Sequence, residues 1–459
     1  MPNGVTLQGT TGSSKILETS SGRPTCTSLC TVTVINVGTF LVTWSKMGCP
    51  SSGACTGYYP LNTPTVGSNV VTLTNSFQGS LFHIGDYITI YDHQPQAEDD
   101  VINGFQSIIT NVSGATITLA DNMARSSATS YIGNLSTGLT QGIAHIGHDI
   151  GLKGVIVQGA CPILMTESFN LTLQDNQFIA ETDLYDSTHQ YIAVGQWNSI
   201  EHYTFDRNQF ISIGTNGNSW SAEMTQRNSG FGSWTNNTFG VAGAAGFNSW
   251  GVSEYAHDLR FMTNHVYTNP VSHQSCGFNL ASQNATIGNN DFHTSGSWNI
   301  AGGGFICDII ALPSEYHYYG NMTYSGNIIT CNAGGTPCVM LQALQGLTVT
   351  GNTITVPSGS SSLYGILLQY YPSNDQINNN QINVQGGYGI FVIPSSDAGW
   401  TINGNTVTAV AGATGIEVGA SSNSGGPCSV QNNTSSSGFA TNIAGDINQH
   451  PGCTVGNNH

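Results

Sequence analysis

Glu223, Arg227, Glu254 and Asp308 fall in one stretch of the chain, with His257, Asp258 and Arg260 nearby and Trp197, Trp220, Trp250 and Tyr255 around them. Only 7% of the residues are charged, so this concentration needs a reason. Paired carboxylates are what cleavage of a glycosidic bond requires, one as general acid and the other as nucleophile or base. Aromatic faces beside amides suit a sugar, whose apolar ring face stacks while its hydroxyls find polar partners. The candidate catalytic residues are therefore Glu254, Asp308 and Glu223. The candidate substrate-binding residues are Arg227, Trp197, Gln226, Trp250, Tyr255, Gln342 and Tyr370. The competing explanation is an ion-paired surface patch, for instance Arg227 against Glu254.

What would hold these residues together is a repeat. In Leu347–Val356, LTVTGNTITV, apolar residues alternate around Asn352. Equivalent asparagines stand at 176, 208, 237, 264, 290, 327, 380, 405, 433 and 458. An apolar or aromatic residue lies three positions before each marker, and another lies two positions after it until Ser435 breaks the pattern. A period of roughly 25 residues built from short alternating strands predicts a solenoid whose inward side chains stack from rung to rung. Gly-Asn and Asn-Asn at the markers fit sharp bends, because both residues tolerate positive φ. Helical spacing of apolar residues does not occur over any long stretch.

These rungs, from Leu171 to His459, resemble the right-handed parallel β-helix proteins of the pectin lyase-like superfamily. The resemblance implies an all-β parallel β-helix. It also implies the company of secreted polysaccharide-cleaving enzymes, phage tailspikes and adhesins. The Asn-Thr-Asp, Asp-Asp, Gly-His-Gly and Arg-Ile-Lys motifs of the polygalacturonase branch do not occur here in that order, so no catalytic residue is carried over from it.

A second strand precedes each marker, as in YGILLQYY, YGIFVIPS and TGIEVGAS. Ile366 and Leu368, Ile390 and Val392, and Ile416 and Val418 are expected to point inward. The outward row through Gln369 is then expected to pass through Gln342 and Asp308, and the row through Leu367 through Met340, Ile306, Asn279 and Glu223. Neighbouring rungs lie about 4.8 Å apart. Glu223 with Glu254 would thus approach the spacing of a retaining glycosidase, and Glu254 with Asp308 that of an inverting one.

Before the ladder, Gly4–Leu17 reads as an opening rung, and residues 1–69 otherwise as a Cys-rich irregular cap. Residues 70–135 read as an inserted antiparallel β module, and 136–459 as the β-helix with about eleven marked rungs. Glu98, Asp99 and Asp100 form an acidic turn where Ca²⁺ could bind, although no cofactor is required. His145, His148 and Asp149 have metal-like spacing, but they lead into a strand and need not share a face.

Net charge is −17 with eight Lys and Arg, which argues against nucleic acid and against an anionic membrane surface. No apolar run approaches a membrane span. Met1-Pro2 leads directly into the strand-like GVTLQG without a signal-peptide pattern, as in a mature secreted protein. Eleven cysteines predict disulfides, with Cys26/Cys30, Cys49/Cys55 and Cys331/Cys338 as close pairs. Cys428 and Cys453 each stand five residues before a marker, so stacked rungs would join them.

The composite expectation is a secreted glycoside hydrolase acting on a neutral or weakly charged polysaccharide. A lyase acting on a uronic-acid polymer is the nearest alternative, with Arg207, Arg227 and Arg260 available to neutralise carboxylates. A non-catalytic glycan-binding or adhesive β-helix is the third. Oligomeric state is left open. No Gly-x-Ser-x-Gly elbow supports esterase chemistry.

Overall fold

The structure, a computed structural model, describes residues 3–17, 42–43, 59–62, 65, 67–91, 104–123, 142–159, 163–181, 193–213, 223–227, 229–240, 256–268, 278–279, 282–294, 306–308, 320–331, 338–342, 346–356, 364–369, 374–393, 399–409, 413–419, 427–436, 441–445 and 453–459. Two compact units are present. The first comprises residues 1–209, 224–233 and 255–257, and the second 210–223, 234–254 and 258–459.

In the first unit, Thr6–Gln8 pairs in parallel with Gly147–Lys153, which pairs with Ile163–Gln174, which pairs with Ala193–Asp206. Ser14–Leu17, Val155–Gly159 and Gln177–Glu181 form a second parallel ladder. Thr6–Gln8 and Ser14–Leu17 thus pair in parallel with the strands of the coil.

The antiparallel module is also present, with wider bounds than 70–135. Its sheet includes Tyr59–Pro60 and Gly142–His145, along with Val70–Thr72, Tyr87–Tyr91, Gly104–Ser113 and Thr116–Leu119. The turn-rich segments on either side hid these two short strands. The module has its own core, which includes Val71, Phe82, Ile88, Ile90, Phe105, Ile109, Ile117 and Ile143.

The second unit is a parallel β-helix of three stacked ladders. One runs through Arg260–Met262, Thr286–Gly288, Thr323–Ser325, Thr348–Thr350, Gln376–Asn378 and Thr401–Asn403 to Cys428–Gln431 and Cys453–Gly456. The second contains Thr353–Val356 and Gln381–Val384, and the third Val339–Gln342, Tyr364–Gln369, Tyr388–Ile393 and Thr414–Val418. Inward rows stack like on like. Phe239, Phe261 and Phe292 are fully buried, with successive ring centroids 5.6 and 6.3 Å apart. Each such side chain contributes about 1.5–3 kcal/mol by burial.

The markers do more than bend the chain. Asn352 Oδ1 accepts the backbone N–H of Asn327 at 2.9 Å and its Nδ2–H at 2.8 Å. Asn352 Nδ2 in turn donates to the Tyr324 carbonyl and to Asn380 Oδ1. The same exchange joins Asn380 to Asn405 and Asn405 to Asn433. The buried side-chain amide of Asn352 thus has both its oxygen and its nitrogen partnered on neighbouring rungs, which is how a polar side chain is tolerated in a core. The positive φ falls on the residue before the marker, for instance Gly351 and Asn379.

Cys331–Cys338 and Cys428–Cys453 are disulfides, with Cα atoms 5.8 and 4.3 Å apart. The other two close cysteine pairs lie outside the described residues.

Candidate functional site

The sequence-predicted site residues are scattered in what the structure describes. Trp197 lies on Ala193–Asp206, opposite Met165. Gln226 and Arg227 lie on Glu223–Arg227, beside that strand, and Glu223 opens it. Gln342 stands opposite Gln369, as expected. Glu254, Trp250, Tyr255 and Tyr370 lie outside the described residues, as does the acidic run Glu98–Asp100.

Asp308 requires a correction. It stands opposite Leu341, not Gln342, in the row of Leu368 and Val392, whose side chains are buried. Likewise Cys307, not Ile306, is opposite Met340. The repeat lengthens between Asn290 and Asn327, and a one-residue slip in a strand exchanges its two faces.

Within the second unit, the third ladder presents an aromatic platform. Tyr364 and Tyr388 are register partners whose rings stack at 5.1 Å and 10°. Phe391 lies 5.2 Å from Tyr364 and 5.0 Å from Tyr388. All three are half-buried, and Leu367 and Met340 are buried beneath them. Those two were expected on an outward row, and the aromatics cover them. Glu417 stands opposite Phe391 on the next rung and is half-buried. Burial, with smaller contributions from Tyr388 and Glu417, pushes the Tyr364 phenol up, so its hydroxyl stays a donor. The arrangement offers flat π faces with hydroxyl and carboxylate groups at their edge. The sequence signal was the repeated Tyr-Gly at 364–365 and 388–389. Gly365 and Gly389 allow the close approach, because a Cβ on either would meet the next rung's carbonyl oxygen at 2.5 Å.

A second concentration of chemistry lies in the first unit, where the module packs on the coil. Glu201, Gly230 and His257 occupy one position on successive rungs. Glu201 Oε1 lies 3.0 Å from His257 Nε2, with side-chain exposures of 1% and 6%. Glu201 Oε2 is buried without a hydrogen-bond partner among the described residues. A Cβ at Gly230 would lie 2.1 Å from His257 Nε2 and 2.4 Å from Glu201 Oε2, so only glycine leaves room for the pair. Burial pushes the Glu201 carboxyl up, against the opposing pull of His257.

Beside this pair, Asp121 Oδ2 accepts the Ser107 hydroxyl at 2.9 Å and lies 3.3 Å from His202 Nε2. His202 and Phe231 have φ of 55° and 47°. Other rungs place Asn170, Asp258, Asn284, Asn321 or Asn374 at that turn, which like His tolerate positive φ, so the bulky Phe231 is the strained member. Strain of this kind persists only where surrounding contacts over-determine it. Those contacts are aromatic: His202 packs on Phe169 at 4.6 Å and on Phe231 at 4.7 Å, and Phe231 meets His257 at 5.1 Å.

His145, His148 and Asp149 make separate contacts. His145 pairs with Asp86, while His148 pairs with Asp149 and stacks on Tyr87. Among the described residues, no group of three or more His, Cys, Asp or Glu side chains is placed to hold a metal ion. No helix among them is long and apolar enough to cross a membrane.

Residues 245–435 match a family model described as a right handed beta helix region, which gives the coil its hand. Among solved structures, the chain is similar to the tailspike protein gp49 of Pseudomonas phage LKA1, at 11% identity over 82% of this chain and 63% of that one, with a TM-score of 0.37. It is also similar to the tailspike gp61 of Pseudomonas phage phi297, at 12% identity over 85% and 58%, with a TM-score of 0.41. A third is the gp54 tailspike of Acinetobacter baumannii bacteriophage AP22, solved in complex with A. baumannii capsular saccharide, at 12% identity over 84% and 60%, with a TM-score of 0.30. The chain thus spans 58–63% of the length of these tailspikes. No curated protein matches it in sequence.

Proposed function

We propose that the protein is an extracellular, carbohydrate-active β-helix that binds a neutral or weakly charged polysaccharide and hydrolyses its glycosidic bonds. The observation that carries this reading is the half-buried platform of Tyr364, Tyr388 and Phe391 with Glu417 beside it. Stacked rings presented along a rigid ladder match a chain of pyranose rings, and rigid elements hold binding geometry best. The charge pattern supports a neutral substrate, since no Lys or Arg follows Arg260 in the sequence. A uronic-acid polymer on this platform would meet Glu417 and no basic side chain from its own unit's later rungs. Catalysis is assigned to Glu223, Glu254 and Asp308. The Glu223–Glu254 pair is the stronger, because Asp308 falls in the row of the buried Leu341.

The direct test is incubation with a panel of neutral and uronic polysaccharides. New reducing ends without ultraviolet absorbance support hydrolysis, whereas an absorbing unsaturated product identifies a lyase. The platform by itself also fits a non-catalytic glycan-binding β-helix. Saturable binding without any cleavage across the panel would establish that reading instead.

A further inference from the structure

We propose that the outward face of the second ladder in the second unit is a further glycan-binding surface, a track for a neutral polysaccharide closed at one end by Tyr267, His293 and Asp291. The sugar class rests on the carbohydrate-binding function proposed for the chain, but the site is separate from the aromatic platform, which lies on the third ladder. The second ladder also contains His265–Thr268, Asp291–Thr294, Ile328–Cys331 and Thr406–Ala409. Strand alternation buries Val266, Phe292, Ile329, Ile354, Ile382 and Val407. The residues on either side of each face outward, in two parallel rows.

The first rungs of these rows carry a cluster. His265 is the register partner of Asp291, and Tyr267 of His293. The Tyr267 and His293 rings stack at 5.4 Å and 12°. Asp291 Oδ1 lies 2.7 Å from His293 Nε2, and its Oδ2 lies 3.5 Å from His265 Nδ1. Side-chain exposures are 54% for His265, 36% for His293 and 29% for Asp291. Ion pairs this exposed contribute little to stability, so folding alone does not call for the cluster.

The cluster forms a step. The next rung sets Ile328 opposite Asp291 and Thr330 opposite His293. Thr330 is too short to cover an imidazole. One face of His293 therefore backs onto Tyr267, and the other overhangs the next rung. Ile328, 52% exposed, lies at the foot of the step. A pyranose set there has an aromatic wall for its apolar face. Its hydroxyls meet the Asp291 carboxylate, which has more lone pairs than its two imidazoles use.

Beyond the step both rows are neutral and polar. One continues through Thr353, Gln381 and Thr406, the other through Thr355, Asn383 and Thr408. All are exposed except the half-buried Thr355. Hydroxyl and amide groups thus repeat along the coil at about 4.8 Å, and each can donate and accept. That pattern suits a polymer of hydroxyls. No Lys or Arg stands in either row, and Asp291 would repel a uronate, so the occupant is neutral. Binding on two ladders of one coil would raise the avidity for a long polymer.

Calorimetric titration of the full chain tests this, with cello-, xylo-, manno- and maltohexaose as neutral probes and oligogalacturonate as the acidic one. Tyr388→Ala removes a platform ring, so the binding that survives in it reports the track. A neutral probe bound by the native chain should still bind Tyr388→Ala. Adding Asp291→Asn or His293→Ala should weaken that residual binding about tenfold, and adding Thr355→Val should weaken it less. Both head residues face outward, so either variant decides if the other does not fold. Residual binding that ignores both variants overturns the track. Complete loss of binding in Tyr388→Ala overturns the track and leaves the platform standing. Oligogalacturonate bound through His293 overturns the neutral assignment. If no neutral probe binds the native chain, the proposed function falls together with the track.

Discussion

Glu201 and His257 stand two rungs apart, yet their side chains meet at 3.0 Å because Gly230 holds the position between them. Rungs two steps apart are separated by about 9.6 Å, which the two side chains span only through the gap that glycine leaves. Gly230→Ala should therefore be severe. Its Cβ would overlap both partners, and the expected cost is about 3 kcal/mol, read as a lower first thermal transition with loss of exchange protection confined to the first unit.

Asn352→Ala should destabilise the second unit by at least about 3 kcal/mol. It strands the Asn327 N–H and Nδ2–H and removes the side-chain donor to the Tyr324 carbonyl and to Asn380 Oδ1, which keeps the backbone N–H of residue 352. Urea denaturation followed by Trp fluorescence measures it. A loss below about 1 kcal/mol would mean that water replaces the ladder.

Breaking Cys428–Cys453 should act locally. The chain-entropy model gives about 3 kcal/mol for a loop of this length. The last rung packs on one neighbour only among the described strands. In Cys453→Ser, exchange should accelerate in Cys428–Gln431 and Cys453–Gly456 while Gln381–Val384 keeps its protection. A uniform acceleration would contradict rung-by-rung stability.

On the platform, Tyr388→Ala should weaken oligosaccharide binding about tenfold, and Tyr388→Phe should change it little. Calorimetric titration with the polymer identified by the panel separates the two. Equal losses in both variants would show that the hydroxyl, not the ring face, makes the contact.

For catalysis, Glu223→Gln and Glu254→Gln should each lower turnover by about 100-fold or more, with Asp308→Asn milder. Near-normal activity in all three would remove the assignment.

Much of this architecture can be read from the marker asparagines alone. Their spacing predicts the parallel ladder, the inward rows and the Cys428–Cys453 bridge, because each depends on a position within the repeat. Asp308 shows where that reading fails. Its short strand follows a lengthened repeat, and nothing local fixes which face it shows. Glu201, Gly230 and His257 were legible in principle, since each lies seven residues before a marker. Their partners Phe105 and Asp121 belong to the inserted module, and no periodicity in the coil announces which insert residues fold back onto it.

The asparagine row also has a direction. From Asn264 to Asn433, a marker's N–H donates to the Oδ1 of the marker after it, 25 residues later at Asn327 and 37 later at Asn290. During synthesis, therefore, no rung of this row can close its own turn. The following rung must be synthesised first, so a chain halted along the row ends in a marker whose backbone N–H and one Nδ2–H still lack their acceptor.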